Sequence, residues 1–102
     1  MSEVVTVFRS RLRADAYDNG YAERAAEMVA RAKQNPGFLE HKSFTADDGE
    51  RVSIVRFASQ EAHEEWASDN GHREVQQQGR NEFYEEYSIQ VADVRRERAW
   101  SM

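Results

Sequence analysis

The residues able to do chemistry in this chain gather between Trp66 and Tyr87. Helical spacing from His72 onward places His72, Val75, Gln76, Gly79 and Phe83 on one side of a helix. That side should face a sheet, where a plain core helix would carry leucines. An imidazole, an amide and a glycine instead suit the wall of a pocket: apolar surroundings, a few polar groups, and a glycine that leaves room. Trp66, just before the break at Ser68-Asp69-Asn70-Gly71, offers an indole N–H to the same space. The pattern is equally compatible with a plainer arrangement, in which His72 caps the helix or bonds a backbone carbonyl and Gln76 points to solvent. His41, on a predicted strand, faces either this pocket or a subunit seam.

Other reactive groups have ordinary explanations. His63 is flanked by Glu61, Glu64 and Glu65 and reads as a solvated helix residue. No two histidines have metal-site spacing, so no metal is expected, and Gly71 and Gly79 are too far apart for a phosphate-cradling loop. Glu82, Glu85 and Glu86 form a carboxylate cluster near Tyr84 and Tyr87; pairing with Arg80 and Arg73 at a solvated helix end accounts for it better than acid–base work. Arg9, Arg11 and Arg13 alternate along one strand face, where pairing with acidic residues across a dimer is expected. Trp100 is expected to dock on the body or on a second subunit.

Those residues need a frame. Val4-Val5-Thr6-Val7-Phe8 is β-branched and aromatic and starts a strand reaching Arg13, apolar on both faces at its beginning. Tyr21, Ala25, Met28, Val29 and Ala32 recur at helical spacing from Asp18 or Asn19 to about Lys33. Asn35-Pro36-Gly37 ends that helix, the proline disfavouring helical geometry before it and the glycine permitting a positive φ. Phe38 to Thr45 and Arg51 to Phe57 flank an Asp48-Gly49 turn and pair as a hairpin. Ser59 caps a helix through Glu61, Ala62 and Trp66; another helix begins near His72, and a last strand runs from Tyr84 or Tyr87 to Val94. This order predicts an α+β fold: a ferredoxin-like split βαβ antiparallel sheet with helices on one face. The bare face, carrying Val5 and Val7, predicts a homodimer.

A chain of 102 residues has the size of one domain, so residues 1–102 are read as a single domain with a tail from about 95. Hydrophobic residues make up 39% and charged ones 32%, lean for a monomer covering both faces of a sheet. The net charge of −5 argues against nucleic acid as partner, because the Arg95-Arg96-Glu97-Arg98 run is short and terminal. With no cysteine, disulfides and thiolate chemistry are excluded. No apolar run approaches membrane-spanning length and Met1-Ser2-Glu3 lacks an export signal, so no membrane partner and a cytoplasmic location are expected.

Taken together, Asn35-Pro36-Gly37-Phe38-Leu39, the Asp48-Gly49 hairpin, Phe57-Ala58-Ser59-Gln60-Glu61-Ala62 leading to Trp66, His72-Arg73, Gly79-Arg80 and Phe83-Tyr84 resemble the antibiotic biosynthesis monooxygenase domain family, small dimeric α+β barrel proteins. The resemblance implies oxygenation of a small aromatic phenol, anthrone or quinol with no cofactor, neither metal nor flavin. It assigns His72 as base or proton relay, Trp66 as donor, and Arg80 or Tyr84 as holder of a substrate oxygen, with Gln76, Phe83 and His41 as further lining. Two alternatives accompany it. One is a heme-binding or heme-degrading relative, although Gln76-Gln77-Gln78 stands where the ligating histidine is sought and His72 lies about one turn earlier. The other is a non-catalytic, small-ligand-binding or stress-related dimer.

Overall fold

The computed structural model describes residues 2–68 and 70–102, the side chains of residues 70–72 and 75 excepted. The chain runs β1 (Val4–Leu12), α1 (Tyr21–Lys33), β2 (Phe38–Thr45), β3 (Arg51–Phe57), α2 (Gln60–Ala67), α3 (Asn70–Gln78), one π-helical turn (Gly79–Phe83) and β4 (Tyr84–Asp93). The four strands form one open sheet in the order β2-β3-β1-β4, every neighbouring pair antiparallel. This is the ferredoxin-like α+β arrangement expected from the order of elements. No helix among the described residues is long and apolar enough to cross a membrane.

Register decides which residues meet the helices. His41, Val55, Thr6 and Val91 form one row across the sheet, and Ser43, Ser53, Phe8 and Ile89 the next. The helices cover this inner face. Val55 and Phe57 pack with Ala62 of α2 into a small core, joined by Phe38 and Trp66. Asn35 ties the end of α1 to α2: its Nδ2 donates to the Ala62 carbonyl at 2.9 Å, while its Oδ1 accepts from the Gly37 N–H at 2.8 Å. Gly37 does not adopt the positive φ expected of it; among the described residues Gly20 and Gly49 do. Its requirement is steric, because a Cβ at Gly37 would collide with the Ala62 side chain.

Several expectations are corrected. The α1 helix starts at Tyr21 rather than Asp18 or Asn19, because residues 13–20 close into hydrogen-bonded turns that end with Gly20 in the left-handed region. The break after α2 is shorter than Ser68–Gly71: Asn70 and Gly71 already belong to α3, while Asp69 lies outside the described residues. The arginines of β1 and the one just past it find partners within the chain, Arg9 on Glu50 at 2.8 Å and Arg13 on Asp15 at 3.0 Å. Arg11 holds Asp48 at 2.8 Å and Glu86 at 3.1 Å, so Glu86 is paired from β1 rather than by Arg73 or Arg80. Trp100 is 83% exposed and does not dock on its own chain.

The outer face is apolar at its centre and ionic at its rim. Val5, Val7, Val52 and Ile54 are half-buried there and Phe44 is exposed. Around them stand the Arg9–Glu50 and Arg11–Asp48 pairs, with Arg56 bridging Glu3 at 2.7 Å and Glu40 at 3.2 Å.

Candidate functional site

Between the inner sheet face and the helices lies a cavity of about 280 Å³. That volume sits near the lower end of small-molecule sites, roughly 300–1,000 Å³. The sheet supplies the floor: Thr6 and Phe8 from β1, His41 and Ser43 from β2, Arg51, Ser53 and Val55 from β3, Ile89 and Val91 from β4. Met28 and Val29 of α1, His63 and Trp66 of α2, and Gln76 of α3 face them, and Phe83 and Tyr84 close one side. Ile89 and Val91 are 41% and 53% exposed, so the floor of the cavity reaches solvent at its β4 edge.

The residues expected from sequence divide as follows. Trp66, Gln76, Phe83, Tyr84 and His41 all line the cavity. Arg80 is exposed and forms no part of the wall. The backbone of His72 lies in α3, but its side chain is outside the described residues, and so is the base role assigned to it. His63 is the clearest reversal. It is only 8% exposed and packs by its edge on Phe57, centroids 5.8 Å apart, with Trp66 at 6.1 Å. The glutamates around it in sequence occupy the solvent side of α2, while the three-residue spacing to Trp66 puts both rings on the same face. That spacing was the signal available in the sequence.

Burial tunes the polar groups. Loss of hydration pushes His63 below the ordinary imidazole value, against a smaller opposing pull from Glu64, and it lowers His41 with help from Lys33. Both rings therefore rest neutral near pH 7, each with one nitrogen able to accept a proton. Tyr84 moves the other way: burial, and secondarily Tyr21, raise its phenol well above the usual range, so it is a hydrogen-bond donor and not a base. Thr6 is 4% exposed, and its Oγ1 has no hydrogen-bonding partner among the described residues. The Ser43 and Ser53 hydroxyls bond each other across the floor at 2.8 Å.

Gly79 fits Tyr84 into this wall. It is buried, and a Cβ there would stand 2.7 Å from the Tyr84 ring edge. The room expected of this glycine is thus taken by a tyrosine. Tyr84 in turn meets Phe8 edge-on at 5.4 Å and Tyr21 at 6.1 Å, an aromatic cluster that fixes its position. The described residues contain no group of three or more histidine, aspartate or glutamate side chains placed to hold a metal ion.

An antiparallel sheet, helices on one face and an apolar cavity between them frame the comparison with known proteins. Residues 4–78 match the family described as antibiotic biosynthesis monooxygenase. The chain belongs to that family. As a member it is 36% identical over 81 residues to the uncharacterized protein YqjZ of Bacillus subtilis (strain 168), covering 79% of this chain and 71% of that protein. Among solved structures, Rv0793 from Mycobacterium tuberculosis superimposes with a TM-score of 0.80 at 21% identity, covering 96% of this chain and all (100%) of that one. SnoaB, a cofactor-independent oxygenase from Streptomyces nogalater, gives a TM-score of 0.77 at 17% identity, with 95% and 97% of the two chains covered. At these identities the structural likeness is one of fold; the family of this chain is monooxygenase-like.

Proposed function

We propose that this protein is a cofactor-independent monooxygenase acting on a small electron-rich aromatic compound, a phenol, anthrone or quinol, held in the cavity beneath α1 and α2. The observation that carries the reading is His63: a buried, neutral imidazole beside Trp66 in the wall of an otherwise largely apolar cavity. Deprotonating such a substrate gives an anion able to pass an electron to dioxygen. The radical pair then combines to a peroxide on the ring carbon. For an anthrone, loss of water from that peroxide leaves a ketone: one oxygen atom enters the product, the other departs as water, and all four electrons come from the substrate. The protein must supply a base, donors for the developing oxyanion, and exclusion of water.

In this reading His63 accepts the proton. Tyr84, kept protonated by its surroundings, donates to a substrate oxygen, and Trp66 supplies an indole donor on the α2 side. The flat floor of Phe8, Val55 and Ile89 orients the rings. A second copy of the chain covers the outer face, where the apolar centre and ionic rim have the anatomy of a protein interface.

Oxygen uptake by purified, metal-free protein against anthrones, naphthohydroquinones and catechols tests the reading, with His63→Gln and His72→Ala beside the wild type. Uptake that falls about a hundredfold in His63→Gln supports it. Uptake lost only in His72→Ala would return the base role to His72, and no uptake with any compound would leave a ligand-binding dimer.

A further inference from the structure

The chain carries 19 acidic and 14 basic residues, yet among the described residues no aspartate or glutamate side chain lines the cavity, while two arginines, Arg24 and Arg51, do. They are not equivalent. Arg24 is already engaged, its Nη1 donating to Glu27 at 3.0 Å on the surface of α1. Arg51 has no ion pair among the described residues. Its guanidinium lies 5.9 Å from the centroid of the Tyr21 ring, and the side chain is half-buried. Every other arginine of β1 and β3, namely Arg9, Arg11 and Arg56, holds a carboxylate, and so does Arg13 just past β1. Strand parity explains the exception: Arg51 shares the inner face with Ser53, Val55 and Phe57, away from the acidic rim of the outer face.

We infer that the cavity selects an anionic aromatic ligand, a ring compound bearing a carboxylate, and that Arg51 is the residue that recognises the charge. A guanidinium held against an aromatic ring offers a planar fork of donors that matches a carboxylate. Its low-polarity surroundings strengthen the pairing compared with a surface site. With no acidic side chain among the described residues of the wall, an incoming carboxylate meets no repulsion from them, whereas an ammonium-bearing ligand meets Arg51 and no counter-ion there. Thr6 Oγ1, buried and without a partner among the described residues, adds a hydroxyl to the floor for a second polar substituent. This rests on the cavity being the substrate site, and it narrows the aromatic substrate to an acid.

The experiment is calorimetric binding of naphthoate and of its neutral isostere naphthamide, under nitrogen so that no turnover contributes, with wild type, Arg51→Gln and Arg24→Gln. The wild type should bind naphthoate about tenfold more tightly than naphthamide. Arg51→Gln should erase that preference while binding naphthamide as the wild type does, which also shows that its cavity is intact. Arg24→Gln should keep the preference. Equal affinities in the wild type, or a preference that survives Arg51→Gln or disappears only in Arg24→Gln, would overturn the inference. Because nothing here consumes oxygen, an Arg51-dependent preference stands even if the oxygen-uptake experiment fails, and uptake with neutral substrates alone would refute the acid while keeping the oxygenase.

Discussion

His63 and Phe57 meet edge to face, ring centroids 5.8 Å apart and planes at 75°. A histidine set against a phenylalanine that is itself fully enclosed is largely withdrawn from solvent, so its titration is tied to the integrity of the fold. Replacing the imidazole by an amide of similar polarity separates the two roles: His63→Gln should fold, and should lower kcat/KM for an accepted substrate about a hundredfold with little change in KM. Steady-state oxygen electrode measurements decide it; unchanged kcat/KM removes His63 from the chemistry.

The same burial predicts an acid-sensitive fold. Both His41 and His63 are lowered from the ordinary 6.5, so near and below that pH the unfolded chain binds protons that the folded one refuses. Their contribution is complete above the unfolded value and is lost as pH falls through it toward the lowered folded values. Urea midpoints should therefore drop between pH 7.5 and pH 5, and His63→Gln should flatten that slope. Equal slopes in variant and wild type would mean that other groups control the acid limb.

Gly79→Ala puts a methyl group against the Tyr84 ring, 2.7 Å from its nearest carbon, with Phe8 and Tyr21 preventing an easy retreat. Such overpacking costs about 1–3 kcal/mol. Thermal unfolding should show a melting temperature lower by several degrees, and Gly79→Ala should cost less in a Tyr84→Ala background than in the wild type if the clash is its cause.

Asn35→Ala removes both halves of the clamp between the end of α1, the Gly37 N–H and the Ala62 carbonyl. Two polar groups of a half-buried junction lose their partner, at about 1–3 kcal/mol. Asn35→Asp, which keeps the acceptor but not the donor, should fall between the two in chemical denaturation; a variant as stable as the wild type would show that water replaces the clamp freely.

Ile54→Asp places a charge in the apolar centre of the outer sheet face. Light scattering should give a particle of twice the 11.9 kDa chain for the wild type and a monomer for the variant. A monomeric wild type would leave that face without a second copy.

How much of this was legible in the sequence varied with the physics involved. The β2 and β3 boundaries at Phe38–Thr45 and Arg51–Phe57 follow from alternation bounded by Gly37 and the Asp48-Gly49 turn, both local signals. In the pocket wall, Gln76 and Phe83 follow from helical period, Trp66 from its place just before the break, and Tyr84 only from the family resemblance. His63 looks solvated from its charged sequence neighbours, but neighbours on a helix point elsewhere; the residue three positions on is the informative one. Arg51 has no local signal in the sequence, because one residue at a strand start is inner or outer only by register with Val55 and Phe57. Thr6 and the Ser43–Ser53 pair needed the strand order itself, which brings β1, β2 and β3 side by side. The single π-helical turn at Gly79–Phe83 has no signature in periodicity, since it inserts one extra residue where an α-helix would have continued.

Ile89 and Val91 also order the events of binding in time. In the proposed reading, a solute entering over this aliphatic edge would shed water there before any polar group of the interior could replace it. Desolvation thus precedes recognition, so association should be slower for heavily hydrated solutes however well they finally fit, and widening that edge with Val91→Ala should quicken arrival and departure together while leaving the equilibrium nearly where it was.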